Sequence, residues 1–261
     1  MIQITTAQWS DWIAAFLYPL LRVLGLIVAD PLLGNRSVPL AAKAALALLV
    51  TLLVAPLLPP APAAEPASAT GVLICVQQLL IGLAIGFSMR IALSAAQMAG
   101  QLAGLQMGLG FAAFFDPHGG VQSDVMGRFL GLFALLIFFS IDGPHLVLEA
   151  LVDSFRALPV AAAPVDPLGL RQLVEWAGII FSAGLLISLP VVAALLIANI
   201  AVGVMTRAVP PLNVFAVGFP VTLLTGLVAL YLAAPYVGPA LANLLEQAML
   251  AIGRVVAALA P

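Results

Sequence analysis

Residues 100–120 read GQLAGLQMGLGFAAFFDPHGG. Up to Phe115 the stretch is uncharged and rich in glycine, and it carries Met107, Phe111, Phe114 and Phe115. It then stops at Asp116-Pro117-His118-Gly119-Gly120. On either side lie apolar runs, 71–96 and 125–147, long enough to cross a bilayer, for which about 20 residues suffice. Inside lipid, backbone outside a helix is tolerated only where protein buries it or where it lines a cavity. A greasy, glycine-hinged segment at that depth is expected to act as a constriction, a plug or a substrate contact.

Composition extends this reading to the whole chain. Of 261 residues, 64% are hydrophobic and 8% charged, and the mean hydropathy is +1.20. Soluble domains are about half apolar and about a quarter charged. The expected class is therefore an all-α integral membrane protein. A net charge of -2, with nine scattered Lys and Arg, gives no nucleic-acid signal. The single cysteine, Cys75, excludes an intrachain disulfide and a cysteine metal cluster. No Lys or Arg precedes Arg22, so a cleaved signal peptide is not expected and the first apolar run is read as a retained helix.

Six runs are expected to form long helices: 12–33, 40–58, 71–96, 125–147, 176–205 and 214–234. Two weaker ones, 100–115 and 241–259, add shorter helices. Leu148, Leu151, Val152 and Phe155 fall on one helical face, which predicts a short interfacial helix before an Ala/Pro linker. The run 176–205 is long for a bilayer: about 45 Å as a helix against a core of about 30 Å. It must tilt, bend at Pro190 or protrude. Pro190, Pro220 and Pro235 predict kinked hairpins near the C-terminal end. Arg36, Lys43 and Arg207 place their loops on the cytoplasmic side, with the N-terminus outside.

Ala92, Ala96, Gly100, Gly104 and Gly108 recur every four residues, forming a smooth face suited to close helix packing. From Gly104 onward the helix is expected to break. Gln97, Gln101 and Gln106 are expected to hydrogen-bond a neighbouring helix or to line a polar path. Arg22, Asp30, Arg90, Arg128 and Asp142 interrupt apolar runs; they are read as a relay or as residues near helix ends, paired or snorkelling. His118 and His145 make a weak metal signal. No nucleophile triad, phosphate loop or dinucleotide fingerprint is present, so neither an enzyme nor a cofactor is expected.

The residues resemble a known family. GNRSVP at 34–39 is followed by an Ala/Leu helix and Ala55-Pro56. GLQMGLGFA at 104–112 is followed by Phe115-Asp116-Pro117. Ser154-Phe155 comes before Leu158-Pro159-Val160. Pro190 to Asn199, VPPLNVF at 209–215 and GFP at 218–220 complete the pattern. Over essentially the whole length this is similar to the FliR family of the bacterial type III export apparatus.

The resemblance implies a subunit of a helical, hetero-oligomeric export gate in the inner membrane at the flagellar basal body, partly raised toward the periplasm. FliP and FliQ are the implied partners in one complex, with FlhB and FlhA nearby and unfolded export substrates passing through. It further implies a FliP-like part, 1–175, and a FliQ-like helical hairpin, 176–261. The implied pore plug spans about 104–122 and comprises Gln106, Met107, Gly108, Leu109, Gly110, Phe111, Ala112, Ala113, Phe114 and Phe115. Ala92, Ala96, Gly100 and Gly104 are the implied packing face for the helix entering it. Arg207, Pro210, Pro211 and Asn213 mark a cytoplasmic turn. Injectisome gates contain similar chains. On the residues alone, a secondary transporter with a broken helix at 104–120 is the alternative, and an intramembrane enzyme would need His118 or His145 as a metal ligand.

Overall fold

A computed structural model describes residues 6–59, 65–111, 124–208 and 214–260. Among these the structure is helical throughout: α1 (Thr6–Ala29), α2 (Leu40–Val54), α3 (Ala69–Gln106), α4 (Val125–Ser140), α5 (Gly143–Ala157), α6 (Pro167–Ala177), α7 (Ile179–Ala208) and α8 (Val214–Ala258). Single 3-10 turns follow α2 at Ala55–Leu57 and α3 at Leu109–Phe111. Five stretches are long and apolar enough to cross a membrane, or six if the bent pair α4 and α5 forms one span. The chain is thus an all-α integral membrane protein.

Several boundaries differ from the sequence expectation, each for a local reason. The run 125–147 is not one helix. Asp142 sits at φ 55 in the left-handed region, between the end of α4 at Ser140 and the start of α5 at Gly143. Pro144 in the first turn suits a helix start, so α5 begins anew at Gly143. Its buried stripe is Val147, Leu151 and Phe155, whereas Leu148 is 43% exposed. Trp176 belongs to α6, not to the long helix that follows. In α7, Pro190 lies inside one uninterrupted 30-residue helix. The runs 214–234 and 241–259 are joined in the 45-residue α8, which contains Pro220, Pro235 and Pro239. Likewise 71–96 continues to Gln106 in α3.

The chain forms two compact units. Unit 1 comprises Met1–Ile91, Asp142–Ala177 and Gln247–Pro261. Here Arg22 of α1 is fully buried. Its Nε donates to Gln78 Oε1 (2.8 Å), one terminal nitrogen donates to Ser154 Oγ (3.1 Å) and the other to the Leu158 carbonyl (2.8 Å). The guanidinium also lies 3.9 Å from the Phe155 ring centroid, a cation–π contact. One side chain thereby ties α1 to α3 and to the end of α5. Close backbone contact adds to this: a Cβ on Gly82 would fall on the Arg22 carbonyl, and one on Gly25 would lie 2.5 Å from the Leu79 carbonyl oxygen. The third segment is fastened to α6, because the Asp166 amide donates to the Leu259 carbonyl (3.1 Å). A Cβ on Gly169 would overlap Leu259.

Unit 2 comprises Ala92–Ile141 and Gly178–Glu246. Small residues let its helices approach closely. A Cβ on Gly184 of α7 would lie 2.9 Å from Met98 Cγ and 3.3 Å from the Ala95 carbonyl oxygen of α3. Association in lipid rests on such close packing, since lipid is as apolar as the side chains it replaces.

Candidate functional site

The glycine-rich segment begins on the last turns of α3. Ala92 and Ala96 are fully buried, and Gly100 and Gly104 are buried on the same face. A Cβ on Gly100 would fall on the Met126 carbonyl of α4, and one on Gly104 would lie 3.2 Å from Met126 Cβ. The start of α4 is fixed there by Asp124, whose carboxylate accepts the Gly127 amide at 2.8 Å, a side-chain N-cap. Gln97 and Gln101 are exposed and Gln106 is half-buried. The Gln97 side chain lies over Gly131, its Cγ 2.8 Å from where a Cβ would stand.

The helix ends in one turn. The Met107 amide donates to the Ala103 carbonyl (2.9 Å) and the Gly108 amide to the Leu105 carbonyl (3.1 Å). Gly108 then takes φ 85, a left-handed conformation that glycine adopts without the Cβ penalty and that commonly closes helices. The break falls at Gly108, one four-residue step later than the density of glycines from Gly104 suggests. Leu105 is 65% exposed, while Leu109 and Gly110 are half-buried. The backbone of Phe111 completes the 3-10 turn. Ala112, Ala113, Phe114 and Phe115, with residues 116–122 beyond them, lie outside the described residues.

Met107 contrasts with its exposed neighbour Leu105. It is fully buried. Its side chain is seated on Gly226 of α8, where a Cβ would lie 2.5 Å from Met107 Cγ and 2.6 Å from Cε. One turn before Gly226, the buried Thr222 donates its Oγ1 hydroxyl to the Met107 carbonyl (3.1 Å), sharing it with the Phe219 carbonyl (3.0 Å). Residues four apart stack on one helix face, so Thr222 and Gly226 act on Met107 together. The sequence reading passed over both. Their signal was available: Gly218, Thr222 and Gly226 repeat the four-residue spacing of small residues already seen from Ala92 to Gly108.

The charged residues are placed variously. Arg22 is buried among neutral partners, as above. The Asp30 carboxylate accepts the amides of Leu32 (2.9 Å) and Leu33 (2.8 Å). Burial raises its pKa, against those amides and Arg90. Arg90 donates to the Asp30 carbonyl (3.4 Å). Arg128 is exposed, and Asp142 lies between α4 and α5. Arg207, at the end of α7, is exposed; Pro210, Pro211 and Asn213 lie outside the described residues, as does His118. No three of His, Cys, Asp and Glu gather among the described residues. Two clefts of about 330 and 300 Å³ in unit 1 are lined from α5, α6 and the end of α8 and take in no residue of 100–111.

Comparison with known proteins turns this geometry into a family assignment. The family described as bacterial export proteins, family 1, matches residues 13–248. The chain is similar to the flagellar biosynthetic protein FliR of Pectobacterium carotovorum subsp. carotovorum, 38% identical over 94% of each chain. It is similar to FliR of Escherichia coli (strain K12), 37% identical over 95% of this chain and 94% of that one. The FliR of Bacillus subtilis (strain 168) is 28% identical over 84% and 86%. With the match running through nearly every helix described above, the chain belongs to the bacterial export proteins of family 1, the family of FliR.

Proposed function

We propose that this chain is a core subunit of the flagellar protein export gate in the bacterial inner membrane, and that the segment from Gln106 to Phe115 is the plug of its pore. Family membership supports the export role. The observation that carries the plug reading is the construction at its base: a buried Met107 next to a left-handed Gly108, leading out of a long helix into an apolar segment. A plug needs one fixed end and an apolar body that seals against a passing chain without holding it. Thioether and aromatic side chains suit the second need. Within this reading Met107 anchors, and Leu105, Leu109 and the phenylalanines after Gly110 seal.

The same reading makes the chain one member of a complex with FliP-like and FliQ-like subunits, with FlhB and FlhA at the cytoplasmic entrance near Arg207 and Pro210. Residues 1–175 would pack as a FliP-like subunit and 176–261 as a FliQ-like hairpin. Exposed apolar side chains on α7 and α8 support a need for neighbours: Ile197 is 70% exposed, Ile200 67%, Tyr231 79% and Leu232 70%. Apolar surface of that extent marks lipid or protein contact.

Native mass spectrometry of the chain co-expressed with its genomic neighbours tests the assembly, with one copy per discrete hetero-oligomer expected. A stable, solitary monomer would point instead to a small-solute transporter. Deleting residues 108–114 tests the plug. The complex should still assemble and should leak small ions; an assembled, ion-tight pore would remove the plug reading.

A further inference from the structure

We infer that Thr222 and Gly226 of α8 are positioning residues that latch Met107 at the end of α3, so that the last turn before Gly108 opens only when Met107 leaves α8. The inference rests on the plug reading for its functional consequence, but its structural claim stands on the described residues alone. Three observations carry it. Met107 is fully buried beside Leu105, which is 65% exposed; the chain therefore turns one apolar side chain inward at the point where it leaves the helix. With Met107 seated as it is, a Cβ at position 226 would lie within 3.0 Å of its Cγ, Cε and Sδ, so a side chain there would have to displace it. The Thr222 hydroxyl bonds the Met107 carbonyl across 115 residues of sequence, fixing the last turn before Gly108.

This arrangement has two separable parts, shape at Gly226 and a hydrogen bond at Thr222. Gly108, with its positive φ, lies immediately beyond both. Unseating Met107 would free the last turn of α3, including the Met107 and Gly108 amide bonds to the Ala103 and Leu105 carbonyls. Local opening of such a turn is read directly by amide hydrogen exchange.

The test uses the assembled complex in detergent. Hydrogen exchange is followed in peptides covering 103–110, with peptides of α1 as the internal control. Thr222→Val keeps the shape and removes the hydroxyl; exchange in 103–110 should rise about fivefold, the effect of one net hydrogen bond. Thr222→Ser should restore the original rate. Gly226→Val fills the seat and should raise exchange about tenfold or more, as overpacking does. If Gly226→Val fails to assemble, Thr222→Val decides. Unchanged exchange in 103–110 in the assembled Thr222→Val complex would overturn the latch. Ion conductance of the same complexes in membranes separates the two readings. Faster exchange with increased leak supports latch and plug together; faster exchange in an ion-tight pore keeps the latch and removes the plug.

Discussion

The two units solve one problem by different means. Both must hold apolar helices together where lipid offers little hydrophobic drive. Of the buried polar side chains among the described residues, Arg22, Asp30, Thr51, Gln77, Gln78, Ser88 and Ser154 lie in unit 1, whereas unit 2 has Ser188 and Thr222. Unit 1 is pinned by directional bonds centred on a buried guanidinium. Close approach at glycine is common to both, at Gly25 and Gly82 in unit 1 and at Gly100, Gly184 and Gly226 in unit 2, where Met126, Met98 and Met107 lie against them; among the described residues unit 2 adds an inter-helix hydroxyl bond at Thr222. A polar pin fixes one geometry and resists sliding, because breaking it leaves unsatisfied groups in a low-dielectric interior. Smooth packing gives close contact with few such penalties. The unit that contains the glycine-rich segment is the one with fewer pins.

The contrast can be broken at four places. The largest effect is expected at Arg22. Arg22→Leu strands the partners Gln78, Ser154 and the Leu158 carbonyl, and should destabilise unit 1 by about 3–4 kcal/mol. The yield and melting temperature of the purified complex report this. A more stable Arg22→Leu complex would mean that burial of the charge outweighs its bonds, and the pin would lose its status. Arg22→Lys keeps the charge without the planar fork and should fall between. In unit 2, Gly100→Val forces α3 off Met126 and should cost about 2–3 kcal/mol; a neutral result would show that packing there is loose.

Smaller effects sharpen the comparison. Asp124→Ala removes the N-cap of α4 and should lower stability by about 1 kcal/mol, read as a shifted thermal midpoint. The exposed pair Arg171–Glu175, 2.9 Å apart, is a control. Arg171→Ala should change the midpoint by less than about 0.5 kcal/mol equivalent, as surface pairs do. A large shift at Arg171 would mean that charge matters in unit 1 well beyond the buried pin.

Much of the fold was legible because apolar runs of bilayer length are hard to mistake. What escaped was how runs begin and end. The break at Asp142 was written as Asp-Gly-Pro, a helix start embedded in an otherwise apolar run, and hydropathy overrode it. The union of 214–234 with 241–259 was hidden by Pro235 and Pro239, which read as breakers in water; neighbouring groups and local adjustments let membrane helices continue through proline. The candidate site was legible on one side only. Its glycines, methionine and phenylalanines announced themselves through composition. Thr222 and Gly226 did not: their four-residue spacing with Gly218 marks a packing face, but not which residue lies against it.

Unit 1 is assembled from three separate stretches of chain, and the last, Gln247–Pro261, supplies the buried Ala248, Ala251, Ile252, Val255 and Leu259. Synthesis runs in one direction, so α1, α5 and α6 are made long before these partners exist. During that interval the inner faces of unit 1 lack these partners while Gly178–Glu246 of unit 2 is being added. Unit 1 therefore closes last although it starts first. A ribosome stalled before residue 247 would leave an inserted chain whose pinned half is still unfinished, and quality control could recognise it by that open face.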